Sequence, residues 1–353
     1  MSRDPVGLAT DPLPVQRERI LAAWDGFLAA VAGADLGAPS RLPGWTRHDV
    51  AVHIGDWESA TTLDRLVAQA RSGTLVPPWD PDAVNARVVA AHRDASRADV
   101  LAALQRSRDG VAAWFESSGP ASLGRVMVRS VVGPLPLLTV VNAGAYELAV
   151  HALDLGAAAA APDRPAGPVS GPDRAAGPVS GSGRAAGPVS GPDQPAGPVS
   201  GLDRPAGPAR SAESGPDRGA SLDALLDAGL AALVDVTGVF AHRRGLRTAL
   251  TAWTGRGGWQ VRTDAAGWST TAVTALPPGA AVEGPVAVLL DASAGRRAVP
   301  PLLASRTMKV HSLPDIVRLA PIVDEIPSLP GGPALRAAAR WVGGTGRLLR
   351  LGR

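Results

Sequence analysis

The 353-residue sequence contains no cysteine. Disulfide bonds, thiolate metal sites and a cysteine nucleophile are therefore excluded, so any thiol chemistry must come from a bound small thiol. Lysine is nearly absent too, because Lys309 is the only lysine among 35 lysine and arginine residues. Aromatic residues make up only 4% of the chain. A composition rich in alanine, glycine, proline and arginine is typical of a high-GC coding sequence.

Long apolar runs are also missing. No stretch of about 18 apolar residues occurs, and residues 1–11 lack the apolar segment of a signal peptide. We therefore expect a cytoplasmic protein with no integral membrane association. The formal net charge of +3 is too small to indicate nucleic acid binding.

One predicted helix, from Pro136 to Leu155, carries two candidate metal ligands. Glu147 and His151 are four residues apart, so they lie one above the other on one helix face. The rest of that face is apolar or small, where a carboxylate and an imidazole are costly unless something pairs with them. A shared divalent metal would satisfy both, since zinc accepts both ligand types. The alternative is a buried helical pair in which the two side chains bond to each other.

A metal needs a third ligand, and His53 is the best candidate. Thr46 and Asp49 have the spacing of a capping box, which predicts a helix from Thr46 to Arg71. His53 then points towards the core, whereas His48 lies about 140° round the helix and should face solvent. Taken alone, His53 could equally be a core histidine bonded to a backbone carbonyl.

These motifs together resemble the mycothiol-dependent maleylpyruvate isomerase family, one of the DinB-like metal-binding helical bundles. The shared pattern is a Gly-Trp-Thr helix start with an inward histidine, then Glu-x-x-x-His followed by a hydrophobic-Asp-Leu ending. In this sequence the pattern falls at Gly44-Trp45-Thr46, His53, Glu147, His151 and Leu153-Asp154-Leu155. The resemblance covers about residues 13–157 well and the C-terminal region more loosely.

The resemblance implies an enzyme, a metal- and mycothiol-dependent isomerase or thiol transferase. Its metal, expected to be Zn2+, would be bound by His53, Glu147 and His151, which leaves the fourth tetrahedral position open to a thiol. Metal coordination would deprotonate that thiol and make it a nucleophile. The family's type reaction is cis-to-trans isomerisation of maleylpyruvate by reversible thiol addition. The expected partners are a small electrophilic substrate and a low-molecular-weight thiol, and the composition fits an actinobacterial source, where mycothiol is used.

Three further residues are candidates for supporting roles. Asp154, one turn beyond His151, either orients that ligand as a neighbouring carboxylate or bonds backbone at the helix end. Arg87, with Asn85 nearby, is the candidate for binding a dianionic substrate through its guanidinium group. A surface arginine is the alternative interpretation of Arg87.

The helical periodicity over residues 13–157 predicts an antiparallel four-helix bundle, where facing helices build metal sites, and the resemblance implies that this bundle is DinB-like. Residues 158–219 repeat Ala-Gly-Pro-Val-Ser-Gly with a ten-residue period. Each repeat has too few apolar side chains to offset chain entropy, which predicts a disordered repeat linker.

The sequence pattern over residues 220–330 predicts a small α+β domain. A helix from Ser221 to Val239 is followed by short strands bounded by glycine, proline or aspartate. The run from Val282 to Arg297, followed by a strand, resembles the sterol-carrier-like domain that accompanies the family. Residues 331–353 form a basic tail. The chain is therefore predicted to be multidomain, α then α+β, and is expected to be a monomer. The competing functional hypothesis is a module that binds an apolar ligand through its C-terminal domain, with a structural or regulatory metal site.

Overall fold

The computed structural model describes residues 6–78, 80–157, 218–319 and 322. The predicted repeat linker, except for its last two residues, and the basic tail at 331–353 lie outside these described residues. The predictions about both segments therefore stay predictions.

The first part of the chain is helical. Its helices are α1 (Leu13–Gly33), α2 (Arg47–Ile54), α3 (Thr62–Ser72), α4 (Pro81–Ala91), α5 (Arg97–Glu116), α6 (Gly119–Leu123) and α7 (Leu137–Asp154). A 3-10 turn at Gly7–Thr10 comes before α1. An antiparallel hairpin of β1 (Met127–Ser130) and β2 (Gly133–Pro136) comes before α7.

The predicted capping box at the start of α2 is confirmed. The Thr46 side chain accepts a hydrogen bond from the Asp49 amide, and the Asp49 carboxylate accepts one from the Thr46 amide. The prediction of one continuous helix from Thr46 to Arg71 is wrong, because α2 ends at Ile54 and α3 begins at Thr62.

The break between α2 and α3 is fixed by buried hydrogen bonds. Asp56 accepts from the amide and hydroxyl of Thr62 at 2.7 and 2.8 Å and from the Ser107 hydroxyl at 2.7 Å. A second capping box, between Thr61 and Asp64, then starts α3. Competing side-chain bonds of this kind end a helix that periodicity alone would continue.

The second part of the chain combines helices with a sheet. Its elements are α8 (Arg218–Arg243), β3 (Thr248–Trp253), β4 (Gly258–Thr263), β5 (Trp268–Val273), β6 (Ala280–Glu283), α9 (Val286–Ser293), α10 (Val299–Ala304), β7 (Lys309–His311) and α11 (Leu313–Val317). The strand order is β5-β4-β3-β6-β7. β3 and β6 run parallel, whereas the other neighbouring pairs are antiparallel.

The observed architecture confirms a helical N-terminal part and a C-terminal part built on a sheet. The more specific assignments, a four-helix bundle and a sterol-carrier-like domain, stay predictions, as do the exact domain boundaries.

Helix α8 lies at the centre of the described fold. It packs against α1 and α7 on one side and against β4 and β5 on the other. The stretch Ser221–Arg243 is long and apolar enough to cross a membrane, but 72% of it is buried in the fold. Its apolar character is therefore accounted for by its position as a core helix.

Candidate metal centre

Helix α7 carries three polar side chains of the candidate site on one face. Glu147, His151 and Asp154 are spaced by four and three residues, so they follow one another along the helix. The exposed fraction of the side chain falls from 57% at Glu147 to 9% at His151 and 0% at Asp154. The site is therefore open to water at Glu147 and closed at Asp154.

His151 contacts both carboxylates. Its Nδ1 atom lies 3.0 Å from Asp154 Oδ2, and its Nε2 atom lies 3.5 Å from Glu147 Oε2. Burial would lower the pKa of His151, but its bonds to Asp154 and Glu147 outweigh burial and raise the pKa to about 9. The pKa of Glu147 is lowered, because its bond to His151 and the nearby positive charges outweigh desolvation, which is partial at 57% exposure.

His53 points from α2 towards His151, as predicted. The two rings are 5.1 Å apart between centroids and meet edge to face at 81°. Burial, followed by the charge of His151, lowers the pKa of His53 to about 4. The Asn85 side chain from α4 opposes this shift, yet the buried Nδ1 atom of His53 is left without a hydrogen-bond partner among the described residues.

The turn before α2 supports His53 from the other side. Gly44 has a φ of +80°, a left-handed conformation that L side chains rarely adopt. The turn closes with the Trp45 amide donating to the Leu42 carbonyl oxygen. Trp45 then lies edge to face with His53, with 5.8 Å between ring centroids. The Gly-Trp pair of the motif thus has a physical role in packing the histidine.

A residue that the sequence did not indicate completes the site. Arg296, in the turn after α9, donates from Nε to Asp154 Oδ1 at 2.9 Å and from Nη2 to Asp154 Oδ2 at 3.1 Å. Although desolvation would raise the pKa of Asp154, His151 and Arg296 lower it. Of the two interpretations of this carboxylate, the structure favours the one in which it orients His151.

Residues 17–156 match the family model described as the mycothiol maleylpyruvate isomerase N-terminal domain. This part of the chain belongs to that family. Two solved structures are similar to the chain, the mycothiol-dependent maleylpyruvate isomerase and a histidine-to-alanine mutant of it. Each is 14% identical, with a TM-score of 0.43, over 83% of this chain and 93% of that chain. No curated protein matches the chain.

Within this matched domain, one sequence expectation needs correction. His48 does not simply face solvent, because it is partly buried and its Nε2 atom lies 2.8 Å from the Ala95 carbonyl oxygen. Arg87 is exposed, and it has no ion-pair partner among the described residues, so its role in substrate binding stays a prediction. Asn85 and Arg87 are two residues apart, about 200° round α4, so they point to opposite sides.

The residues of the candidate site suit a divalent metal by their chemistry. As they stand, no group of three His, Asp or Glu side chains within the described ranges is close enough to hold an ion. His151 nevertheless contacts both His53 and Glu147, and no described residue bonds to the buried Nδ1 atom of His53. Two imidazoles and a carboxylate are ligands that zinc accepts. The 3.5 Å between His151 Nε2 and Glu147 Oε2 is close to the separation of two ligand atoms that each lie about 2 Å from one tetrahedral ion.

Proposed function

We propose that the protein is a metal-dependent, mycothiol-dependent isomerase or thiol transferase of the maleylpyruvate isomerase type. His53, Glu147 and His151 would hold the divalent ion, with zinc the ion that their chemistry favours. The observation that carries this proposal is the contact of His53 with His151, which in turn contacts Glu147, between two distant segments of the matched domain.

Each side chain of the site has a role in this proposal. When bound, the ion would act as a Lewis acid that keeps a thiol deprotonated at neutral pH. Asp154 holds Nδ1 of His151, so Nε2 faces Glu147 and the open side of the site. Glu147 has an exposed side chain, so a substrate would enter from its side of the site. Because the chain has no cysteine, the sulfur must arrive with a cosubstrate.

The proposed reaction is a reversible addition to the substrate double bond. The thiolate sulfur bonds to one alkene carbon, and the neighbouring carbon takes up a proton. The resulting single bond rotates, and loss of the same proton expels the thiolate and returns the trans isomer. Asn85, beside His53, is the polar side chain proposed to contact the substrate.

Turnover of maleylpyruvate by the zinc-loaded protein, with and without mycothiol, tests the proposal. We expect turnover to require both zinc and the thiol, and to be abolished by His53→Ala and by His151→Ala. His48→Gln is the matched control, since glutamine can keep the bond to the Ala95 carbonyl oxygen. Equal turnover without thiol would instead indicate a metal that activates water, and the reaction class would become hydrolysis.

A further inference from the structure

We infer that Arg296 is a positioning residue that acts through Asp154 on the His151 ring. The inference rests on the proposed metal site and adds a residue from the C-terminal part of the chain to it. Arg296 makes no described hydrogen bond to His53 or His151, so its orienting effect on the His151 ring passes through Asp154, which contacts both Arg296 and His151.

The backbone after α9 is shaped to present this side chain. Gly295 has a φ of +69°, which turns the chain as the helix ends. The amides of Arg296 and Arg297 both donate to the Asp291 carbonyl oxygen, at 2.8 and 3.3 Å. Arg296 Nη1 also donates to the Ala294 carbonyl oxygen at 3.3 Å. The guanidinium group is thus oriented by its own turn before it reaches α7.

Asp154 is fully buried, and the described contacts occupy both its oxygens. Oδ1 accepts from Arg296 Nε, whereas Oδ2 is shared between Arg296 Nη2 and His151 Nδ1. A bidentate hydrogen bond from arginine fixes the plane of a carboxylate, which a single hydrogen bond does not. Fixing that plane fixes the direction in which His151 Nδ1 is held, and therefore the direction of Nε2. Such outer partners of a metal-binding histidine tune its affinity for the metal.

A neighbouring ion pair provides a matched control. Arg297 forms an ion pair with Asp291, with 3.1 Å between Nε and Oδ2, and Asp291 also pairs with Arg41 at 2.8 Å. These contacts tie the same turn to the N-terminal part, but none of them touches Asp154 or His151. Replacing Arg297 therefore tests whether the turn after α9 matters only for structure. Replacing Arg296 tests whether this arginine positions the His151 ring.

Zinc affinity, measured by competition with a chromophoric chelator and without thiol or substrate, is the test. We expect Arg296→Gln to weaken zinc binding by about 10- to 100-fold, and Arg297→Gln to leave it unchanged. Arg296→Lys should recover part of the loss, because lysine can make one of the two contacts. If Arg296 acts through Asp154, then adding Arg296→Gln to Asp154→Asn should cause no further loss.

Each outcome separates the inference from the proposed function. The positioning role alone would be overturned if Arg296→Gln bound zinc as tightly as wild type. It would also be overturned if the losses in zinc affinity from the two single variants multiplied in the double variant. A wild-type protein that binds no zinc would refute the metal site itself. The double variant removes both charges, so it remains informative if Arg296→Gln alone fails to fold. Retained zinc binding with no maleylpyruvate turnover would refute only the reaction.

Discussion

His53 and His151 lie 5.1 Å apart but have opposite pKa shifts, to about 4 and about 9. Burial lowers the pKa of both rings, so the difference comes from their partners. His151 contacts two carboxylates, whereas His53 has a neighbouring positive charge and a buried Nδ1 atom with no partner in the described part of the chain. At neutral pH one imidazole is therefore charged and the other neutral.

These shifts predict a maximum near pH 6.5 in the stability of the metal-stripped protein. Between about 4 and 6.5 the unfolded chain binds more protons at His53, so this contribution to stability rises with pH. Between 6.5 and about 9 the folded chain binds more protons at His151, so stability falls. The His151 contribution is fully present below pH 6.5 and is on the order of 3 kcal/mol.

Urea denaturation across this pH range, on wild type and two variants, measures the effect. His53→Gln should reduce the rise in stability between about pH 4 and 6.5. His151→Gln should reduce the fall in stability between pH 6.5 and about 9. Stability that rises steadily through pH 9, and does so equally in His151→Gln, would contradict the charged imidazole.

Metal binding to this pair should release a proton. A histidine ligand must be neutral, yet His151, with a pKa of about 9, is protonated at pH 7. We expect calorimetric titration of zinc at pH 7 to show a heat that depends on the ionisation enthalpy of the buffer. Heats that are equal in phosphate and Tris would mean that His151 keeps its proton and is not a ligand.

At the scale of elements, local motifs predicted more than periodicity did. The capping box at Thr46 correctly placed the start of α2, and the helical spacing of Glu147 and His151 correctly placed them on one face of α7. The break after Ile54 was missed, although the Thr61-x-x-Asp64 spacing is itself a capping-box signal. Arg296 was missed because no local pattern records a pairing between segments so distant in the sequence.

Close contact between α7 and α8 gives a prediction at this scale. A Cβ atom at Gly229 would lie 2.2 Å from Ala149 Cβ, so Gly229→Ala forces the helices apart. We expect a loss of about 1–3 kcal/mol in the free energy of unfolding.

Gly144→Ala is the matched control, because a Cβ atom at Gly144 meets nothing within 4 Å. Alanine is favoured over glycine in a helix, so this variant should gain about 0.5–1 kcal/mol. Chemical denaturation measures both variants. Equal stability of the two would show that α7 and α8 do not pack as closely as described.

At the scale of the whole molecule, the two parts of the described chain share one core. Leu225 and Leu226 of α8 pack in the same cluster as Phe27 of α1 and Leu148 of α7. We therefore expect one cooperative unfolding transition and not a separate transition for each part. The apolar-ligand hypothesis gains no support from the comparisons, and a monomeric, cytoplasmic protein stays a prediction.

Deleting residues 161–207 should leave zinc content and the unfolding transition essentially unchanged. Each repeat has too few apolar side chains to contribute to a core. Differential scanning calorimetry and metal analysis of the deletion variant check this. Collapse of the fold on deletion would show that the repeats have a structural role.

The central claim is that His53, Glu147 and His151 bind one divalent ion. Its most direct test is zinc content after loading and gel filtration, measured by mass spectrometry of the metal. The account predicts one zinc per chain for wild type and for His48→Gln, and loss of most bound zinc in His53→Ala and His151→Ala. Stoichiometric zinc in His53→Ala would contradict it, because His53 would then not be a ligand.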